Sequence, residues 1–309
     1  MKSQPLIYIH IGTFKTGTTS IQTFLSENRN ILLNKNILYP LSSRTKKYPD
    51  AHHNLASELI KEKRSYLPNE MYEINAGKWK DVVKEIEEFK GTKVIISSEH
   101  FNRLTFEEIR MIRKYLANYV IKIIVFLRKQ DEYFQSYYCQ DVKIGHYWGD
   151  IKKYIARYKN EGDYYKKLEP WKQIFGQENI IVRVFNKDFQ KELIDQFLAI
   201  INFKMGKLKD KKRKTKNITP SFKVIKVINF LNVIARGKLK LSKKNCRVLY
   251  LNSLLNSENK IRKVIERVPN SLLENQLLSE NEKKELLQEF QQSNYQVAQE
   301  YLQQVNSLF

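Results

Sequence analysis

Three stretches of this chain are apolar without alternation: LIYIHI at 6–11, VII at 94–96 and IKIIVFLR at 121–128. A strand with one face in water alternates apolar and polar residues, whereas a continuous apolar run marks a strand covered on both faces. A fourth strand is expected at 179–185 (NIIVRVF), and helical patterns lie between the runs. Buried strands alternating with helices fold as a parallel sheet joined by right-handed crossovers. The expected class is therefore α/β, a central parallel sheet flanked by helices.

Between these runs the punctuation is readable. Gly12 ends the first run, and the spacing of Ile21, Phe24, Leu25, Ile31 and Leu32 predicts a helix after it. NILYP at 36–40 reads as a short second strand stopped by Pro40, and 41–50 as a loop. Trp79, Val82, Val83, Ile86 and Phe89 form one apolar face of a helix over 79–89, with Gly91 expected to end it. Another helix is expected around 105–118. The C-terminal part, about 250–309, reads as helical. There Ser279 and Glu282 form a capping box, and Leu286, Leu287, Phe290, Val297, Ala298, Tyr301 and Leu302 share a face. The 309 residues suit one domain, interrupted by a Lys-rich stretch at 204–216 (KMGKLKDKKRKTK) that is expected to be a self-repelling loop.

The segment with the most chemistry is Gly12-Thr-Phe-Lys15-Thr16-Gly17-Thr18-Thr19-Ser20, between the first strand and its helix. Gly12 and Gly17 have the spacing of a P-loop, in which backbone N–H groups and a helix N-terminus converge on an anion. In a nucleotide-triphosphate enzyme a lysine follows the second glycine. Here that position is Thr18, and the lysine stands inside the loop at Lys15. This order resembles the 5′-phosphosulfate loop of sulfotransferases that use 3′-phosphoadenosine 5′-phosphosulfate (PAPS). The resemblance implies that Lys15 contacts the bridging oxygen between phosphate and sulfate, and that Thr16, Gly17, Thr18, Thr19 and Ser20 hold the 5′-phosphate. A positioned ammonium would stabilise the charge that develops on the leaving phosphate.

Arg128 closes a buried strand, and Ser136 follows eight residues later in LRKQDEYFQSYY. Strand ends carry ligands in open α/β sheets, and a guanidinium with a hydroxyl can clamp a phosphate. The same resemblance implies that Arg128 and Ser136 bind the 3′-phosphate of the cofactor. Residues 164–185 and 292–302 look like the bacterial branch of that family. Residues 217–221, Asn-Ile-Thr-Pro-Ser, sit where relatives have a cofactor-covering segment.

Sulfuryl transfer to an alcohol needs a group that takes the hydroxyl proton. Glu99 ranks first, at the end of the third strand, and His53 second, with His52 and His100 as further candidates. No metal is expected, because Cys139 and Cys246 stand apart and no His or Cys pair has ligand spacing.

The net charge of +22 points to anionic partners without choosing among them. It motivates a glycan or glycolipid acceptor, and an anionic membrane surface as a further partner. No helix-turn-helix, RNA-recognition or zinc-finger pattern supports nucleic-acid binding. A P-loop kinase is the second enzymatic reading, weakened by Thr18 and by the lack of an Asp closing the third strand. No apolar run reaches about 18 residues, and the N-terminal apolar stretch is short for a signal peptide. The expected location is the cytoplasm, with peripheral attachment at the inner membrane face compatible with the charge.

Overall fold

The computed structural model describes residues 4–60, 78–186, 192–204 and 220–309. The expected basic loop 204–216 (apart from Lys204) and Asn217, Ile218 and Thr219 lie outside them. By its own contacts the chain forms two compact units, one of 1–128, 163–210 and 292–309 and another of 129–162 and 211–291.

The first unit holds the α/β sheet that the apolar runs predict. Its strands are β1 (Leu6–His10), β2 (Ile37–Leu38), β3 (Lys93–Ser97), β4 (Ile121–Arg128) and β5 (Ile180–Phe185). They lie in the order β2-β3-β1-β4-β5, and every pairing is parallel. Successive side chains go to opposite faces, so each apolar run feeds two cores. Ile7, Ile9, Val94, Ile96, Ile123 and Val125 pack against the helices His53–Leu59, Trp79–Glu88, Phe106–Tyr115 and Tyr164–Phe175. Tyr8, Ile95, Ile124 and Phe126 face the helices Thr18–Glu27 and Leu193–Ile200. The absence of alternation thus has a direct cause: both faces of the sheet are covered.

Boundaries differ from expectation in informative ways. The predicted helix after Gly12 is two, Thr18–Glu27 and Arg29–Leu33, divided at Asn28, whose side chain donates to the Phe24 carbonyl. The helix over 79–89 ends because Phe89 turns extended, and Gly91 is not left-handed. Gly91 instead makes room for the Phe89 ring, which a Cβ there would strike. Thr105 and Glu108 cap the next helix reciprocally, a box that its sequence carries.

The second unit is helical. Within it Phe134 stacks on Phe290, and Lys152 and Lys159 pair with Glu282 and Glu289. Tyr137, Tyr138, Tyr147, Tyr154 and Tyr158 form an aromatic cluster, in which the Tyr154 hydroxyl donates to Asp141. The capping box of Ser279 and Glu282 is present as expected. Among the described residues no helix is long and apolar enough to cross a membrane.

Ile95 is wholly buried in the middle of β3, between β2 and β1. Ile95→Ala should cost about 2–5 kcal/mol, read as a lower urea midpoint at unchanged slope. Val120, exposed just before β4, should tolerate Ser within about 0.5 kcal/mol.

Candidate functional site

In an open parallel sheet the ligand crevice lies beyond the carboxyl ends of the strands, where the strand order reverses. Here the reversal is at β1. The chain leaves β1 for β2 and β3 on one side, then crosses to β4 and β5 on the other. The glycine loop begins at that point.

Backbone bonds from β4 build the loop. Phe126 N–H donates to the Gly12 carbonyl at 2.7 Å, and Thr13 N–H donates to the Phe126 carbonyl at 3.0 Å. The Thr13 carbonyl then accepts from two hydroxyls, Thr16 Oγ1 at 2.7 Å and Thr18 Oγ1 at 3.1 Å. Both threonines are buried, so these hydroxyls brace the turn from inside, while Thr19 is exposed and Ser20 half-buried at its outer surface. Gly12, Lys15 and Gly17 have φ of 96°, 63° and 75°. Gly17 could carry no side chain in any case, since a Cβ would run into Leu193. The helix that follows has Gly17 as its N-cap, with no side-chain cap and no acidic residue in its first turn. An uncapped helix start leaves donor N–H groups for an anion.

Arg128, the last residue of β4, sends its guanidinium to this loop. It donates to the Lys15 carbonyl at 3.0 Å and lies over the Phe185 ring. The Arg128 carbonyl accepts from the Tyr164 hydroxyl. Lys15 and Arg128, predicted as separate halves of a cofactor site, are thus in direct contact. Ser136 is half-buried on the helix Gln130–Lys143, in the second unit.

The proton-accepting candidates meet on the other side of Gly12. A Cβ on Gly12 would stand 3.0 Å from Glu99 Cβ, so the loop backs directly onto the residue that follows β3 and Ser98. Gln22 Nε2 donates to Glu99 Oε2 at 2.9 Å, and Glu99 Oε1 lies 3.8 Å from His53 Nε2. His53 Nδ1 is bonded to Ser98 Oγ at 2.9 Å, and Ser98 caps the short 3₁₀ turn Glu99–Arg103 by accepting from His100 N–H. The His53 and His100 rings meet edge to face at 4.6 Å, and Phe14 from the loop packs on His100. Phe14, Glu99, His53 and His100 therefore border one region. Glu99, His53 and His100 also bring ligand-capable atoms within 4.8 Å of one another, a convergence hidden by their separation in sequence.

His52 is different. Ser97 N–H donates to its Nδ1 and its Nε2 lies 3.0 Å from the Pro40 carbonyl. Nδ1 must be the acceptor and Nε2–H the donor, so both nitrogens are spent. Burial holds its pKa down at about 3, and it cannot serve as the base. His10 is likewise buried, bonded to Ser97 Oγ, with its pKa lowered to about 3 by desolvation. Desolvation also lowers His53, partly countered by Glu99. His100 is pushed well down by desolvation, with His53 and Arg103 adding to it.

Gln22, Ser97 and Ser98 were not anticipated as site residues. Gln22 left a signal: it lies one turn after Thr18, on the side of the helix that buries Ile21 and Leu25, and a polar residue there needs a partner. The serines look like ordinary strand-end residues and left none.

No known protein-family profile matches the chain. A stretch of 121 residues, 38% of this chain, is 36% identical to an uncharacterized protein of Archaeoglobus fulgidus. The match spans a third of that protein's length. The crystal structure of a sulfotransferase from Alicyclobacillus acidocaldarius is similar with a TM-score of 0.47 and 15% identity, over 79% of this chain and 99% of that one. Likeness at this level leaves the chemistry to be argued from the residues of this chain.

The buried neutral imidazoles set a pH dependence. An unfolded histidine titrates near 6.5, whereas His10 and His52 in the fold titrate near 3. The unfolded state takes up protons first, so stability is complete above the unfolded value and falls as pH drops from 6.5 toward 3. Between pH 7 and 5 each should cost about 2 kcal/mol. Urea unfolding over this range checks it, and a flat profile would refute the neutral assignment.

Proposed function

We propose that this chain transfers a sulfuryl group from PAPS to a hydroxyl, with a carbohydrate as the acceptor. The observation that carries the proposal is the anion loop itself. Its lysine sits inside the turn, gripped through its carbonyl by Arg128, and the back of the turn rests on Glu99. A donor-binding loop and a proton-accepting carboxylate are thereby neighbours, as group transfer to an alcohol requires.

The residues present suit a doubly phosphorylated nucleotide. The uncapped helix start after Gly17, with the exposed Thr19 and half-buried Ser20, offers donors to a 5′-phosphate. PAPS, when bound, supplies an activated sulfuryl group. Lys15 would then stabilise the negative charge left on the phosphate oxygen. Arg128 is assigned to the 3′-phosphate, which Arg suits through charge-assisted bonds. Glu99, held by Gln22, accepts the proton of the acceptor hydroxyl, and His53 stands beside it as the neutral imidazole. A kinase-type reading gains nothing from the geometry, because the position of its lysine is taken by Thr18, whose hydroxyl is bonded inside the loop.

Charge supports the choice of acceptor. A net +22 exceeds what the phosphates of one nucleotide call for, and 207–216 is a dense basic run. A long acidic glycan, or a sugar on an anionic lipid, fits that excess. Such a partner also fits an enzyme working in the cytoplasm beside the membrane.

Adenosine 3′,5′-bisphosphate, the product nucleotide, should raise the melting temperature in EDTA, with stabilisation of about 2.7 kcal/mol at a hundredfold excess over its Kd. Lys15→Ala should bind it nearly as well yet turn over far more slowly, because the charge Lys15 meets develops only in the transition state. ATP binding more tightly than the bisphosphate would overturn the assignment.

A labelled-sulfate screen across polysaccharides, lipid-linked sugars, phenols and tyrosine peptides should label sugars. Labelling of phenols or peptides with every sugar inert would remove the carbohydrate acceptor.

A further inference from the structure

His53 starts a helix after the loop 41–52, and Glu99 and His100 open the 3₁₀ turn after β3. The fold brings these three side chains together so that ligand-capable atoms of all three lie within 4.8 Å of one another. We propose that His53, Glu99 and His100 form a three-ligand site for a divalent transition metal of the zinc class, with a remaining coordination position for water or a hydroxyl.

The donor set selects the class of ion. Two imidazoles and one carboxylate suit zinc, cobalt, nickel or iron, whereas magnesium and calcium prefer oxygen donors alone. The three donor atoms must close around a first-row ion, since the set spans up to 4.8 Å. Ligand bonds of about 2.0–2.1 Å in a tetrahedral site put donor atoms roughly 3.3 Å apart. His53 Nε2 and Glu99 Oε1 stand 3.8 Å apart, too far for a direct hydrogen bond, and a side-chain shift of about half an ångström seats an ion between them.

Supporting bonds orient the ligands as metal sites require. Gln22 Nε2 holds Glu99 Oε2 at 2.9 Å and so leaves Oε1 on the His53 side. Ser98 Oγ is bonded to His53 Nδ1 at 2.9 Å. In the tautomer that donates Nδ1–H to Ser98, the lone pair of Nε2 is available as a ligand. Glu99 Cβ is backed by Gly12, which leaves the carboxylate little room to retreat.

The third residue of the set, His100, carries an unsatisfied ring nitrogen. Its Nδ1 is shut off from solvent and has no hydrogen-bond partner, a deficit that costs on the order of 1–3 kcal/mol for a buried polar group.

The site does not rest on the sulfuryl-transfer reading and competes with it at Glu99: with Oε2 held by Gln22 and Oε1 on an ion, the carboxylate cannot also take the acceptor proton. The full-length chain, stripped with a chelator, should bind one equivalent of Co²⁺ with a Kd on the order of 10 µM, giving visible d–d bands that Zn²⁺ abolishes. Glu99→Gln and His100→Asn should each weaken binding at least about 10-fold. His146→Asn, outside the cluster, should change nothing. Wild-type binding weaker than about 1 mM, or equal affinity in the Glu99 and His100 variants, overturns the proposal. Should either variant fail to fold, zinc-edge X-ray absorption on the wild-type protein decides. It must show two imidazoles and light-atom oxygen, and a sulfur ligand or fewer imidazoles would be fatal. Bisphosphate binding in EDTA reports separately on the nucleotide site, so the two ideas fail independently.

Discussion

The two backbone bonds that join Gly12 and Thr13 to Phe126 are the constraint from which the rest of the site follows. They extend the β1–β4 ladder beyond the end of β1 and into the glycine loop. The loop therefore inherits the rigidity of a sheet buried on both faces. Its start is fixed by β4, its interior by the Thr16 and Thr18 hydroxyls on the Thr13 carbonyl, and its end by the helix that begins at Thr18. Only Thr19 and Ser20 are left with hydroxyls turned outward.

Much of this was legible because buried parallel strands leave a strong mark. The non-alternating runs at β1, β3 and β4 identify the sheet, and the Gly12–Gly17 spacing locates the loop at the end of the first strand. Lys15 and Arg128 could each be named, but their contact could not, because it depends on β1 and β4 being neighbours in the order β2-β3-β1-β4-β5. Short-range reading failed where long-range packing decides. Gly91 looks like a helix terminator, yet Phe89 ends that helix and Gly91 only clears space for its ring. Nothing in a sequence tells a histidine with both nitrogens spent, such as His52, from one facing a carboxylate, such as His53 beside it.

The adjacent histidines show how one backbone step separates structure from chemistry. His52 is the residue just before its helix and pairs with Ser97 through backbone and ring, closing the loop 41–52 against β3. His53 is the first helical residue and faces Ser98 and Glu99 instead. Substituting the first would therefore be felt as stability, and the second as altered acid–base or ligand chemistry.

Lys15 stands in the left-handed region inside the loop. A left-handed residue with a side chain costs about 1–2 kcal/mol, and Lys15 has φ of 63° where glycine would be free of that cost. A hydrogen bond to a charged group contributes about 1.5–3 kcal/mol, and the half-buried Arg128 falls toward the lower part of that range. The two magnitudes are comparable, so the guanidinium on the Lys15 carbonyl offsets much of that cost, beside the bonds from Phe126, Thr16 and Thr18 that hold the rest of the turn. That balance ties the residue at the end of β4 to the conformation of Lys15. An anion that draws Arg128 away would leave the left-handed cost at Lys15 without this offset. One that is bound by Arg128 through its remaining N–H groups, with the carbonyl contact kept, would lock the lysine in place.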